Sequence, residues 1–383
     1  MRGPARFGSL LPYRLAGADV LVPARRGRAR RRPDATLHVM RAMQLQQVAT
    51  LQRDGRPLVA VALEAPEPQT GEVRLRVHAC AVCHTELDQI EGRVETPTPR
   101  VLGHQAVGTI DAVGDGVDGS RIGERVGVGW IASACGECRW CERGEENLCP
   151  EFRATGRDCD GGYAEFMTIP AAFAVPVPDG LDAAHAAPLL CAGAIGFRSL
   201  KLAGLVNGQV LALTGFGASN HLVLALARAR LPDSPVLVFA RDPDQRAQAL
   251  ELGASWAGDT HDEPPTAPDA IIDTTPVWET VLAALERLAP GGRLVINAIA
   301  KEPGDRDRLA GLDYPSQLWK EKEIKSVANV TRADIRGVLE AATEHELRPQ
   351  VTELSLDDAN QALTRIRFGG FRGAFVLRIA DPD

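Results

Sequence analysis

No run of 18 uninterrupted apolar residues occurs in the 383-residue chain, so the sequence offers no membrane-spanning segment. An excess of basic charge is missing too: 43 Lys and Arg face 50 Asp and Glu, a formal −7. A general nucleic-acid binder needs a basic surface on its folded body, and that class is set aside. Neither the low hydrophobicity of a disordered chain nor a collagen-like repeat is present, since 45% hydrophobic and 24% charged residues make an ordinary globular composition. No apolar stretch near the N-terminus is flanked as a secretory signal would be. The expected compartment is therefore the cytoplasm, where eight cysteines argue for metal ligands or catalysis before disulfides.

What is present is unevenly spread. Residues 1–39 hold nine Arg against Asp19 and Asp34, a local +7 that leaves −14 for the other 344. We read 1–39 as a disordered basic extension ahead of a fold that begins near Met40; a basic arm for an anionic surface is the minor alternative. The length beyond it suffices for two or three domains with ample core.

Cys135, Cys138, Cys141 and Cys149 form a C-x2-C-x2-C-x7-C run. Two-residue spacers turn the backbone enough to bring neighbouring thiolates onto one zinc ion, and four sulfurs fill its tetrahedron. Such a closed site is structural. A nucleic-acid knuckle is the rival, but Glu137, Glu142, Glu145 and Glu146 would repel phosphate.

Cys80, Cys83, Cys159 and Cys191 remain. Cys83 opens CHTELD after the alternating stretch Val73–Ala79, which reads as a strand; His104 lies in VLGHQAVG and Cys191 in APLLCAG. A catalytic zinc takes three protein ligands from separate loops and keeps a fourth position open. Taken alone, each of these residues reads first as a core thiol or a satisfied histidine, and Cys80 with Cys83 also as a redox pair.

Beyond Cys191, strands alternate with helices: QVLALT (209–214), a helix over 221–230, VLVFA (236–240), a helix over 245–254, then AIIDTT, VLAALERLA, RLVINAIA and EIKSVA. That order implies a parallel sheet with right-handed crossovers. After the first strand comes Gly215-Phe216-Gly217-Ala218-Ser219-Asn220. Gly215 permits the tight turn and Gly217 the approach of a pyrophosphate to a helix N-terminus, but the third glycine of the dinucleotide fingerprint is lacking, with Asn220 in its place. A plain glycine-rich loop is the rival. At the end of the second strand Ala240-Arg241 leans toward NADP over NAD, because a small residue followed by Arg accommodates a 2′-phosphate; Asp242 could still reach a ribose if the turn is shifted.

CHTELD, Gly103-His104, the four-cysteine run, DGGYAEF, LLCAG and the later glycine-rich turn come in the order found in zinc-dependent medium-chain alcohol dehydrogenases, which the chain resembles from about Met40 onward. The resemblance implies an α/β fold: a Rossmann domain at 191–328 inserted in an irregular, mainly β (GroES-like) catalytic domain, 40–190 plus 329–383, that carries the four-cysteine lobe. It implies two zinc ions per subunit, one structural and one catalytic on Cys83, His104 and Cys191, with Gly215, Gly217 and Ala218 at an NAD(P) site. It implies a homodimer or homotetramer and a small alcohol or aldehyde as substrate, with no nucleic-acid or membrane partner.

Under that resemblance Thr85 matches a proton-relay hydroxyl, and Asp88 stands where many relatives continue the relay with histidine. A carboxylate has a reference pKa of about 3.9 against about 6.5 for histidine, so the pH optimum is expected to move. Glu86 replaces the usual aspartate that orients the ligand histidine. Gln105 replaces a glutamate that in many relatives can approach the metal, and either tunes the site or fills a buried hydrogen bond. Trp130 matches a pocket position that narrows the cleft toward small primary alcohols, or is ordinary core. The expected activity is NAD(P)-linked oxidation of a primary, or secondary, alcohol and the reverse. A polyol, aryl-alcohol or formaldehyde-adduct dehydrogenase or aldehyde reductase is the alternative, and a non-catalytic zinc- and nucleotide-binding protein the remote one.

Overall fold

A computed structural model describes residues 38–369 and 373–380. The expected extension, apart from its last two residues, lies outside the described residues. The strand read from Val73–Ala79 is longer, Glu72–Val82. Its first half alternates as expected, with Val73, Leu75 and Val77 fully buried between the half-buried Arg74 and Arg76; from His78 on every residue is buried. Position explains the change: this strand is a hub, antiparallel to Ala106–Val113, Ala374–Arg378 and Phe166–Pro170. Val351–Ser355 continues the sheet beyond Ala374–Arg378, so the chain's C-terminal part rejoins the sheet that its early part began. Strands Leu58–Glu64, Val39–Leu45 and Arg100–Val101 make a second, three-stranded sheet.

The other half is a six-stranded, wholly parallel sheet. Its order is Trp256–Gly258, Val236–Phe239, Leu211–Thr214, Ala270–Asp273, Arg293–Ile296, Glu323–Ser326. Leu211–Thr214, Val236–Phe239 and Ala270–Asp273 are buried at every residue, as strands covered by helices on both faces must be. The strand order reverses beside Leu211–Thr214, which puts the switch-point crevice at its C-terminal end.

One element joins the halves. Helix Ala183–Pro188, a π-turn at Leu189–Gly193 and helix Ala194–Ala203 form a single 21-residue rod. Pro188 lacks the backbone N–H that an α-helical ladder would use there, and the π-turn follows directly. The rod is apolar and long enough to cross a bilayer, but 61% of its most apolar window is buried in the protein, as in a core helix. The π-turn packs on helix Ala218–Arg230, whose Leu222 and Leu226 belong to the core of the β-rich half.

Candidate active site

The lobe explains itself geometrically. Sulfur separations are 3.9 Å for Cys135–Cys141, 3.6 Å for Cys138–Cys141 and 3.5 Å for Cys149–Cys135. A tetrahedron with Zn–S of about 2.3 Å has edges of about 3.8 Å, whereas a disulfide would need about 2.05 Å. All four thiols are free, and the backbone N–H groups of Cys135 and Glu151 each donate to the Cys149 sulfur at 3.4 Å. The Cys141 backbone N–H is the chief group that draws the Cys138 thiol down to about 7. These residues fit zinc. The lobe is tied to the returning chain through Glu146, whose Oε1 accepts from the backbone and side chain of Arg332, both at 3.0 Å, and through Asn147, which donates to the Ala328 carbonyl at 2.6 Å.

A second cluster comes from three separate elements. Cys83 caps helix His84–Ile90, His104 follows strand Arg100–Val101, and Cys191 lies in the π-turn. The ligand atoms of Cys83, His104 and Cys191 lie within 4.8 Å of one another, with the two sulfurs 4.0 Å apart. Gly103 makes the approach of His104 possible, since at φ +96° any Cβ would sit 2.5 Å from the Tyr163 ring.

Glu86 binds two of these residues together. One carboxylate oxygen accepts from the Cys83 backbone N–H at 2.7 Å, as the N3 residue of a capping box; the other lies 2.6 Å from His104 Nδ1. Glu86 lies at ion-pair distance from Nδ1, and Nδ1 and Nε2 are both buried without a hydrogen-bond partner. An orphaned imidazole nitrogen beside two thiols is the donor set of a catalytic zinc with an open position, so these residues fit that ion as well. The hydrogen bond to Cys191 is the first cause that holds Cys83 well below the usual thiol range, and Cys191 is raised by the same contact. Burial opposes charge on His104, but the Glu86 carboxylate and Cys83 outweigh it and lift the imidazole to about 10.

The remaining expected residues fall as follows. Thr85 is buried with its hydroxyl 3.5 Å from the Cys83 sulfur. The Trp130 ring meets the His104 ring edge-on, centroids 4.9 Å apart at 82°. Asp88 shares a helix face with Thr85, but its carboxylate pairs with Arg93 Nε at 2.6 Å, a partner that spacing did not suggest. Gln105 is buried, and its backbone carbonyl accepts from the Ala81 N–H at 3.1 Å. Cys80 and Cys159 join neither cluster; burial pushes both thiols up, Cys159 to about 11.

Gly215 takes φ +74° at the end of Leu211–Thr214, and a Cβ on Gly217 would meet nothing within 4 Å. Open space at the N-terminus of the 13-residue helix Ala218–Arg230 fits a pyrophosphate. Ala240 is buried and Arg241 exposed at the neighbouring strand end, while Asp242 caps helix Pro243–Glu251 by accepting from the Asp244 N–H at 2.9 Å. Sequence reasoning missed Asp273 and Lys301, a buried ion pair beside this turn. An isolated lysine in a loop carries no periodic signal that could have found it.

A dinucleotide-type sheet joined to a β-rich half bearing two thiols and an imidazole defines a dehydrogenase layout. Residues 69–179 match the model of the alcohol dehydrogenase GroES-like domain. The chain is 41% identical over 351 residues to "Probable alcohol dehydrogenase AdhA" of Mycobacterium tuberculosis, covering 90% of this chain and 99% of that one. It is 31% identical to an alcohol dehydrogenase of Geobacillus stearothermophilus over 333 residues, 83% of this chain and 95% of the relative. Among solved structures it superposes on a cinnamyl alcohol dehydrogenase of Sorghum bicolor with TM-score 0.78 and 27% identity, covering 90% of this chain and 99% of that one. The chain belongs to the zinc-dependent medium-chain alcohol dehydrogenase family.

Proposed function

We propose that the protein catalyses reversible hydride transfer between a small primary alcohol and NAD(P), with Cys83, His104 and Cys191 as catalytic zinc ligands and the four-cysteine lobe as the second zinc site. The observation that carries this reading is the convergence of two free thiols and an unpartnered imidazole nitrogen from three separate elements. Zinc held there supplies Lewis-acid polarisation of the alcohol oxygen, and a nicotinamide at the glycine turn supplies the hydride acceptor.

The chain's own residues do the rest. Glu86 fixes the His104 tautomer through Nδ1, so that Nε2 offers its lone pair to the metal. Thr85 relays the proton leaving the substrate hydroxyl, accepting it as it gives up its own hydroxyl proton toward water, its oxygen being placed by the same helix turn that presents Cys83. Asp88, one turn along, is the next group on that face, its carboxylate paired with Arg93. Trp130 limits the room beside His104, which supports short alcohols. An aryl-alcohol activity is the second reading, favoured by the likeness to the cinnamyl alcohol dehydrogenase.

NADP is the favoured cofactor. The Asp242 side chain is occupied as a helix cap and Arg241 is exposed, which supports a 2′-phosphate at this strand end; Arg246 beside it donates to the carbonyls of Ala240 and Arg241 at 2.7 and 2.8 Å and pairs with Asp259 at 3.8 Å. A homodimer or homotetramer is supported by the edge strand Glu323–Ser326, exposed at every residue, and by the exposed Trp319. A cytoplasmic, reducing setting suits thiolate clusters. The test is nicotinamide absorbance during oxidation of a primary-alcohol series from ethanol to benzyl alcohol, with NAD and NADP in parallel. Stronger turnover of short alcohols with NADP supports the reading, and no turnover in protein holding two zinc ions per chain contradicts it.

A further inference from the structure

The missing third glycine of the dinucleotide turn is not an empty defect. In the usual fingerprint that position is small so that the helix packs close to the strand. Here Asn220 is fully buried: its amide nitrogen donates to the carbonyls of Thr214 (3.0 Å) and Gly215 (2.7 Å) and faces the Thr274 hydroxyl at 3.0 Å, while its amide oxygen has no hydrogen-bond partner. Thr274 in turn donates to the Thr214 carbonyl from its backbone N–H and from its hydroxyl, both at 3.1 Å. The glycine turn is therefore stitched to the loop that follows strand Ala270–Asp273.

That loop is stitched again from the other side. Asp273, fully buried, accepts from the hydroxyls of Thr214 (2.6 Å) and Thr275 (2.9 Å), and its second oxygen pairs with Lys301. Lys301 also donates to the carbonyls of Thr275 (2.8 Å) and Val277 (3.1 Å), so the three hydrogens of its ammonium are all used and none is left for a ligand. The Asn297 backbone N–H donates to the Asp273 carbonyl at 2.7 Å. Three segments, 214–215, 274–277 and 297–301, thus share one partly buried polar network at the switch-point crevice.

We propose that Asn220 and Lys301 are positioning residues that hold the walls of the dinucleotide crevice in their binding geometry before the cofactor arrives, so that they set cofactor affinity without touching the reacting atoms. The inference rests on the NAD(P) reading above. Preorganisation lowers the ordering cost of binding, and its loss appears in affinity while the chemical step is spared.

The experiment measures direct binding of NADH and NADPH by fluorescence titration, together with kcat and the cofactor KM, for the full-length wild type and four variants. Asn220→Gly, which restores the usual fingerprint, is expected to weaken binding of the preferred dinucleotide about tenfold, and Lys301→Met at least as much, with kcat at saturating cofactor within about twofold. Asp273→Asn with Lys301→Met removes both charges, so it regains thermal stability over the single Lys301 variant while affinity stays low. Arg198→Met, which breaks the buried Arg198–Asp334 pair on another face, is expected to lower the melting temperature and leave dinucleotide affinity unchanged. Unchanged or tighter binding by Asn220→Gly overturns the proposal even if the lysine variant fails to fold. No binding of either dinucleotide to the wild type overturns the NAD(P) reading itself, and the inference with it.

Discussion

The lobe and the cleft use the same element, sulfur around a metal-sized space, in opposite ways. In the lobe four cysteines come from 15 consecutive residues, and their sulfurs all lie within 4.8 Å of one another, a set of four that fits the corners of a zinc tetrahedron. In the cleft two cysteines and a histidine come from positions as far apart as Cys83 and Cys191, and a buried glutamate, a threonine hydroxyl and an indole ring surround them. A closed set made locally staples a fold, whereas an open set made by tertiary structure leaves one position for chemistry. The cleft set exists only once the hub strand, the His104 loop and the π-turn are all in place.

The comparison predicts different failures. The largest effect on activity is expected from Cys83→Ser: alcohol turnover is abolished, zinc falls from two ions to one per chain, and the circular-dichroism spectrum is unchanged. Cys138→Ser is expected to lower activity by another route, through a lower melting temperature and loss of soluble protein, because the lobe holds the returning chain at Ala328 and Arg332. If Cys138→Ser left stability intact, the lobe would not be a staple. Thr85→Ala is expected to reduce kcat on the order of 10²-fold with both zinc ions retained, as loss of a proton-transfer group should. Glu86→Gln is expected to weaken the cleft zinc alone by about 10- to 100-fold, read by competition with a chelator, while the lobe ion stays bound. The smallest effect is on specificity: Trp130→Ala is expected to shift the preference from ethanol toward benzyl alcohol by roughly tenfold in kcat/KM, a change worth one or two methylenes of pocket space.

Legibility from sequence followed the same division. The lobe was readable from spacing because its ligands are sequence neighbours, and the parallel strands because they are buried on both faces and so run apolar without interruption. The cluster of Cys83, His104 and Cys191 was not readable from spacing; only the resemblance joined them. The strand read from RLVINAIA stops at Ile296, where the chain turns away and delivers Lys301 to Asp273 across 28 positions. Asn220 read as a lapse in a motif, because a side-chain amide that replaces close packing with hydrogen bonds has no signature in a pattern of glycines. Asp88 read as a free relay group, because no local rule ties it to Arg93.

The most direct test of the central claim is a paired measurement on one preparation of wild type and Cys83→Ser: zinc per chain by elemental analysis, and NAD(P)H formed from a short primary alcohol. The account predicts two zinc ions and turnover in the wild type, and one zinc ion and no turnover in the variant. Turnover that survives in a variant holding one zinc ion would contradict it, because the alcohol chemistry would then lie outside the Cys83, His104 and Cys191 site.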